Sequence, residues 1–211
     1  MELKNLRAVL FDFDGVLADT MQDNFSAWKK AFQNYVSLKK EDYFPLEGMQ
    51  LKEIAKTIAK KYNIIINAEE IVNLKNKGYL EEHKFSLYPE VEKLVDLLKK
   101  KFLLAIVSSS PREKLEKTVP NDFLKKFKVV ISAEDAEKGK PNPEPYLKAI
   151  EKLRIKPEEC VVIENSPFGI KSAKSAGIYC IAISSTLNKD YLKEADKVID
   201  KISDLKRFFM E

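Results

Sequence analysis

The run Ala8-Val9-Leu10-Phe11 leads straight into Asp12-Phe13-Asp14-Gly15, and that junction constrains the fold more than any other stretch of the 211 residues. A short, continuous apolar run is the pattern of a strand buried on both faces, and such strands belong to parallel sheets covered by helices. Charged side chains are kept out of a strand of that kind. Asp12 and Asp14 therefore fall at its carboxyl end, where open α/β sheets hold their ligands. Gly15 frees the backbone to turn sharply there. Two carboxylates converging on a small volume invite a divalent cation, and magnesium is the cation that works with few carboxylates and a phosphate. An ionised Asp is also a competent nucleophile toward phosphorus. Taken alone, the pair equally fits a loop N-cap or a solvated turn.

The rest of the chain alternates two textures. From Thr20 to about Tyr88 apolar residues recur at three- and four-residue spacing, as in Phe25, Trp28, Phe32 and Tyr35, then Ile54, Ile58 and Tyr62. That spacing predicts helices, and breaks near Pro45 and Gly48, at Ile64 to Asn67 and at Gly78 divide them into three or four. The aromatic stripe reads as core packing. From Pro89 the pattern becomes helix and strand in turn, with strands expected at 103–107, 129–131, 160–163 and 178–183 and a closing segment at Val198-Ile199. Strands alternating with helices predict a parallel sheet covered on both faces. The first strand belongs to that sheet, so the helical stretch 19–88 is an insertion dividing an α/β core of residues 1–18 and 89–211.

Composition excludes several classes. Lys+Arg 37 against Asp+Glu 33 gives a net charge of +4 with both signs interspersed, which gives no support to nucleic-acid binding. Cys160 and Cys180 lie in apolar runs and read as buried thiols of a reducing compartment. The one histidine, His83, leaves no histidine-rich metal site. No apolar run approaches the roughly 18 residues of a membrane span, and the first run breaks at Asp12 too soon for a signal peptide. A soluble cytoplasmic protein is expected.

Three further segments carry chemistry. Val107-Ser108-Ser109-Ser110-Pro111 ends a strand in hydroxyls and free N–H groups that suit a phosphate, although Ser110-Pro111 also fits a helix start. In Lys138-Gly139-Lys140-Pro141-Asn142-Pro143, a stiff loop holds Lys140 as a positioned cation. Val161-Val162-Ile163-Glu164-Asn165-Ser166-Pro167 again ends an apolar strand in a carboxylate, and a helix of small residues follows it.

In this order, the four segments resemble the motifs of the haloacid dehalogenase superfamily, in its β-phosphoglucomutase-like branch, and the similarity runs over nearly the whole chain. The resemblance implies a Rossmann-like, doubly wound parallel sheet with an inserted α-helical cap. It implies a magnesium-dependent phosphatase acting on a small phosphorylated, phosphosugar-like metabolite. In that scheme Asp12 is the nucleophile that forms an aspartyl-phosphate, and Asp14 is the general acid/base. Ser108 and the Ser109 backbone hold the transferring phosphoryl group, with Lys140 offsetting its charge. Magnesium takes Asp12, the main-chain carbonyl of Asp14, and the turn formed by Glu164 and Asn165. The family commonly has an acidic residue where Asn165 stands, so either this amide ligates or Glu164 takes a larger share.

The segment Glu47-Gly48-Met49-Gln50 looks like the family's substrate-facing cap loop. Lys75 is a candidate for reaching the leaving group, its competing reading being a solvated helix residue. Two alternatives stand beside the phosphatase. A β-phosphoglucomutase-like mutase is disfavoured because Asn24 and Leu51 occupy positions where that cap typically has a histidine and an arginine. A binding protein on an inactive phosphatase fold is the other. The particular substrate and the oligomeric state are not legible in the sequence.

Overall fold

The computed structural model describes residues 5–210. The outermost residues of the expected core, 1–4 and 211, lie outside the described residues. Six strands, β1 (Ala8–Phe11), β2 (Leu103–Val107), β3 (Val129–Ile131), β4 (Cys160–Glu164), β5 (Tyr179–Ile183) and β6 (Lys197–Ile199), form one sheet in the order β3-β2-β1-β4-β5-β6. Every pairing in it is parallel. Between β1 and β2 run α1 (Met21–Ala31), α2 (Lys40–Tyr43), α3 (Leu51–Tyr62), α4 (Ala68–Glu82) and α5 (Val91–Leu98). Then come α6 (Arg112–Thr118), α7 (Asn121–Leu124), α8 (Glu144–Leu153), α9 (Pro167–Ser175) and α10 (Leu205–Met210).

Strand periodicity sorts the core into two layers. Val9 and Phe11 of β1, with Leu104, Ile106, Val161 and Ile163 beside them, face a cluster completed by α5, Leu115, Phe123 and α10. Ala8 and Leu10, with Ala105, Val107 and Val162, face Tyr146, Ala149 and Ile150 of α8 and Ile170 and Ala173 of α9. All four residues of β1 are fully buried, and at ~1.5–3 kcal/mol per large apolar side chain this strand anchors both layers. A third cluster lies within α1–α4, where Phe25, Trp28, Phe32, Tyr43, Ile54 and Ile58 pack together. Cys160 and Cys180 are buried free thiols. No helix among the described residues is long and apolar enough to cross a membrane.

Two helical expectations are corrected. Tyr35 is 46% exposed, because α1 ends at Ala31 and leaves Tyr35 in the turn beyond it. Gly78 does not break the helix, because α4 runs through it to Glu82. Glycine there costs ~1 kcal/mol of propensity, and the α1–α4 packing, in which a Cβ at Gly78 would touch the Lys30 side chain, overrides that cost.

Candidate active site

Register places the chemistry. Phe11 pairs with Ile106 on one side and Ile163 on the other, so Asp12 emerges between the ends of β2 and β4. Its N–H donates to the Ile163 carbonyl at 2.9 Å. β2 lies on one side of β1 and β4 on the other, so this is the sheet's topological switch point, the crevice in which such sheets bind ligands.

Lys140 reaches the crevice from the loop before α8 with its side chain almost wholly buried. Its Nζ donates to Asp12 Oδ1 at 2.8 Å, Glu164 Oε1 at 2.6 Å and the Val107 carbonyl at 3.0 Å. All three ammonium donors are thus used. Burial by itself lowers the Lys140 pKa, but the charges of Asp12 and Glu164 overrule it and hold the group above the usual lysine range. Asp12 is pushed up to about 8, first by burial and then by the neighbouring Glu164 charge, against the pull of Lys140. Replacing Lys140 by Met leaves two facing buried carboxylates without their cation, which is expected to cost ~3–5 kcal/mol of stability in urea unfolding. Adding Glu164→Gln to that variant should recover part of the loss; a single variant as stable as the parent protein would remove Lys140 from this role.

Glu164, expected among the metal ligands, has both oxygens engaged by the protein. Oε1 accepts from Lys140 and from the Tyr146 hydroxyl at 2.8 Å. Oε2 accepts from the Asn165 N–H, the Ser166 N–H and the Ser166 hydroxyl at 3.0, 3.3 and 3.1 Å. Ser166 also N-caps α9 by accepting from Gly169 N–H at 3.1 Å, and a Cβ at Gly169 would fall within 1.8 Å of the Glu164 carboxylate. Glu164 therefore tucks under α9 and orders the Lys140 ammonium. In the same turn Asn165 Oδ1 is buried without a hydrogen-bond partner, while its Nδ2 donates to Thr186 Oγ1 at 3.1 Å. Gly15, at φ +82°, passes so close that a Cβ there would lie 2.1 Å from that Nδ2.

Among the described residues no group of three or more His, Cys, Asp and Glu side chains suits a metal. A cation here would draw instead on a mixed set, for which the Asp12 carboxylate, the main-chain carbonyl of Asp14 and the unpaired Asn165 carbonyl are the candidates. Such a set fits magnesium, which takes one or two carboxylates and keeps much of its water. Asn165→Asp places a negative charge beside that position, so the magnesium concentration for half-maximal activity should fall several-fold. A titration of both proteins that gives an unchanged or higher requirement would mean that residue 165 does not face the metal.

Asp14 is held by residues in and just ahead of α1 and α6. Its Oδ1 accepts from Thr20 at 2.5 Å, Lys114 at 2.9 Å and Asn24 at 3.0 Å, and its Oδ2 accepts from Ser110 at 2.7 Å. Burial alone raises its pKa. The Lys114 charge, with the hydrogen bonds from Thr20, Lys114 and Ser110, outweighs burial and holds the carboxyl well below the usual range. Lys114 of α6 escaped the sequence reading, and Ser110, read there as part of the phosphate-suited serine run or as a helix start, instead donates to Asp14 just ahead of α6. Thr20, Tyr146 and Thr186 were missed as well, and no sequence signal marks them.

Lys75 is 1% exposed, which overturns its solvated reading. It donates to Asn24 Oδ1 at 3.0 Å and lies over the rings of Tyr79 and Trp28 at 5.2 and 5.8 Å. Burial and the Lys114 charge push it down to about 7 against Glu47 and Asp14. Glu47 is pushed up to about 7 by burial and by Asp14, with Lys75 and Lys114 opposing.

The structure brings Asp12, Asp14, Ser108, Ser109 and Lys75 onto one small cavity with Glu47, Gly48 and Leu51. Its volume, about 20 Å³, holds about one water. The α1–α4 layer is closed over the sheet. Ser109 Oγ donates to the Gly48 carbonyl at 2.6 Å, and Gln50 Nε2 donates to the Glu137 carbonyl at 3.2 Å.

The chain is similar to known proteins in sequence and fold. A pyrophosphatase PpaX from Bacillus mycoides is 32% identical over 207 residues, covering 95% of each chain. A phosphorylated carbohydrates phosphatase from Thermotoga maritima is 34% identical over 181 residues, 82% of each. The crystal structure of β-phosphoglucomutase from Clostridium difficile superposes with a TM-score of 0.81 at 26% identity, covering 97% of this chain and 95% of the other. The sequence model for haloacid dehalogenase-like hydrolases matches residues 9–183, from β1 to the end of β5. A match of that extent, over a parallel sheet whose switch point carries Asp12 and Asp14, places this chain in the haloacid dehalogenase-like hydrolase family.

Proposed function

We propose that this protein is a magnesium-dependent phosphatase that hydrolyses a small phosphorylated, phosphosugar-like metabolite in the cytoplasm through an aspartyl-phosphate on Asp12. The observation that carries the reading is the fixing of Asp12 by Lys140 at 2.8 Å beside a small cavity lined also by Asp14 and Ser108. Lys140 binds Asp12 Oδ1 and leaves Oδ2 to attack phosphorus. As the new O–P bond forms, the bond to the leaving oxygen breaks, and Asp14 gives that oxygen a proton. Water then attacks phosphorus, returns a proton to Asp14 and releases Asp12 and orthophosphate. Ser108 and the Ser109 backbone hold the phosphoryl oxygens, and the Lys140 charge offsets theirs. When bound, magnesium supplies charge neutralisation beside Asp12 and the phosphoryl group and favours the ionised nucleophile. The Lys114 contacts keep Asp14 as the carboxylate that the second half-reaction needs. The first half requires the incoming substrate to relax them. Closure of α1–α4 excludes water during transfer, so those helices act as the cap and must open to admit substrate.

Magnesium-dependent release of orthophosphate from p-nitrophenyl phosphate or acetyl phosphate tests the reading; no release from either, with magnesium, would favour a binding protein instead. A mutase must also hold a distal phosphate. Asn24 is committed to Asp14, Lys75 and Lys114, and Leu51 is apolar, so neither offers the fork that this task needs. Given β-glucose 1-phosphate with catalytic glucose 1,6-bisphosphate, the protein is expected to release orthophosphate, if it reacts, rather than form glucose 6-phosphate. Faster formation of glucose 6-phosphate would reverse that ranking.

A further inference from the structure

Lys75 is a buried amino group with one hydrogen-bond acceptor. Among the described residues no carboxylate lies within 4.0 Å of its Nζ to form an ion pair, and Asn24 Oδ1 at 3.0 Å is its sole hydrogen-bond acceptor. The same Asn24 oxygen also accepts from Lys114 Nζ at 3.3 Å, so two lysine amino groups converge on one amide at the wall of the small cavity. Lys114 is offset by Asp14 at 2.9 Å, but Lys75 has no carboxylate in ion-pair contact and lies against the faces of Trp28 and Tyr79. A buried, unpaired cation is expensive to maintain, and an anion entering the cavity beside Lys75 would offset that cost and favour its charged form. In the same cavity Glu47 Oε1 is buried and accepts nothing, so it can accept a hydrogen bond from a hydroxyl.

We propose that the substrate's leaving group bears an anionic group, which Lys75 pairs, next to a hydroxyl that donates to Glu47. A phosphorylated hydroxy acid or sugar acid has this character. A neutral hydroxyl in place of the anion accepts a hydrogen bond from Lys75 but leaves its charge uncompensated. The proposal rests on the phosphatase reading above, and it names the chemistry of the half of the substrate that is not transferred.

Three substrates compared on the full-length protein with magnesium test it. Glycerol 3-phosphate has a neutral leaving group, 3-phosphoglycerate carries a carboxylate on the same three-carbon frame, and pyrophosphate leaves as phosphate. At least one anionic leaving group is expected to exceed glycerol 3-phosphate by about 10- to 100-fold in kcat/KM, the scale of a charge-assisted contact. Which of the two gains identifies carboxylate or phosphate as the source of the charge. In Lys75→Met that ratio should collapse toward one, chiefly through a higher KM for the anionic substrate, and Lys75→Arg should restore part of it. The ratio is taken within each variant, so it does not depend on how much protein is folded. Turnover of p-nitrophenyl phosphate with no preference for either anion overturns this proposal and leaves the phosphatase standing. Preference unchanged in Lys75→Met overturns the assignment to Lys75, and no turnover of any of the four compounds overturns both.

Discussion

Asp12→Asn is expected to abolish turnover and to leave no phosphoryl-enzyme after an acid quench. The amide keeps the shape of the carboxylate but cannot form the acyl phosphate bond. The surroundings of Asp12 make this substitution a test of chemistry rather than of folding. Lys140 retains Glu164 Oε1 and the Val107 carbonyl as acceptors when residue 12 loses its charge. Burial and Glu164 push the Asp12 pKa to about 8, well above its ordinary value of 3.8. A carboxyl raised in this way favours the fold below pH 3.8, and that contribution is lost as pH rises through 8, where the buried charge appears. At pH 8 and above, Asn removes that charge, so the variant should unfold at no lower temperature than the parent protein. Mass spectrometry after quenching, set beside thermal unfolding, reads both outcomes. Undiminished phosphate release would end the mechanism proposed for Asp12.

Asp14→Asn is expected to lower turnover by roughly 10²–10⁴-fold, the scale of a positioned acid/base. KM should change little, because Asp14 is bound to Thr20, Asn24, Ser110 and Lys114 rather than placed to hold the phosphoryl group. Its proposed metal contact is through the main chain, so magnesium binding persists in the variant. The defect should divide between the half-reactions. p-Nitrophenol is a good leaving group and needs little help from an acid, whereas water attacking the aspartyl-phosphate still needs a base. A burst of p-nitrophenol followed by a stall, with phosphoryl-enzyme accumulating, is the pattern to seek in rapid-mixing measurements. A fall of less than tenfold without a burst would mean that another group moves the proton.

Both predictions begin from residues that could be named in the sequence, and the reason is local. Asp12 ends an apolar run and Asp14 follows it by two residues, so chain order alone carries both to the end of β1. The loop lysine and the serines after β2 are legible in the same way, as polar groups at strand ends. Their company was less so. Lys114 pairs with Asp14 across 100 positions and Tyr146 reaches Glu164 from the face of α8, and in sequence both read as ordinary helix residues. Glu164 drew attention as a second acidic strand end. Its inward turn, under Gly169 and onto Lys140, is set by packing against α9.

The sequence by itself determined the parallel sheet, the helical stretch between its first two strands and the carboxylate pair at its switch point. Hydrophobic periodicity and strand-end placement are properties of contiguous residues, and they survive without coordinates. Only the tertiary structure decided the charge relations. Lys75 on the helical layer and Lys114 on the core meet at Asn24, and Asn165 turns its amide nitrogen to Thr186 and leaves its carbonyl unpaired. Those outcomes depend on which groups are brought together from distant parts of the chain and shielded from water. A charge that is worth little on a surface dominates a buried site, so burial is what turned ordinary lysines and amides into the determinants of this one.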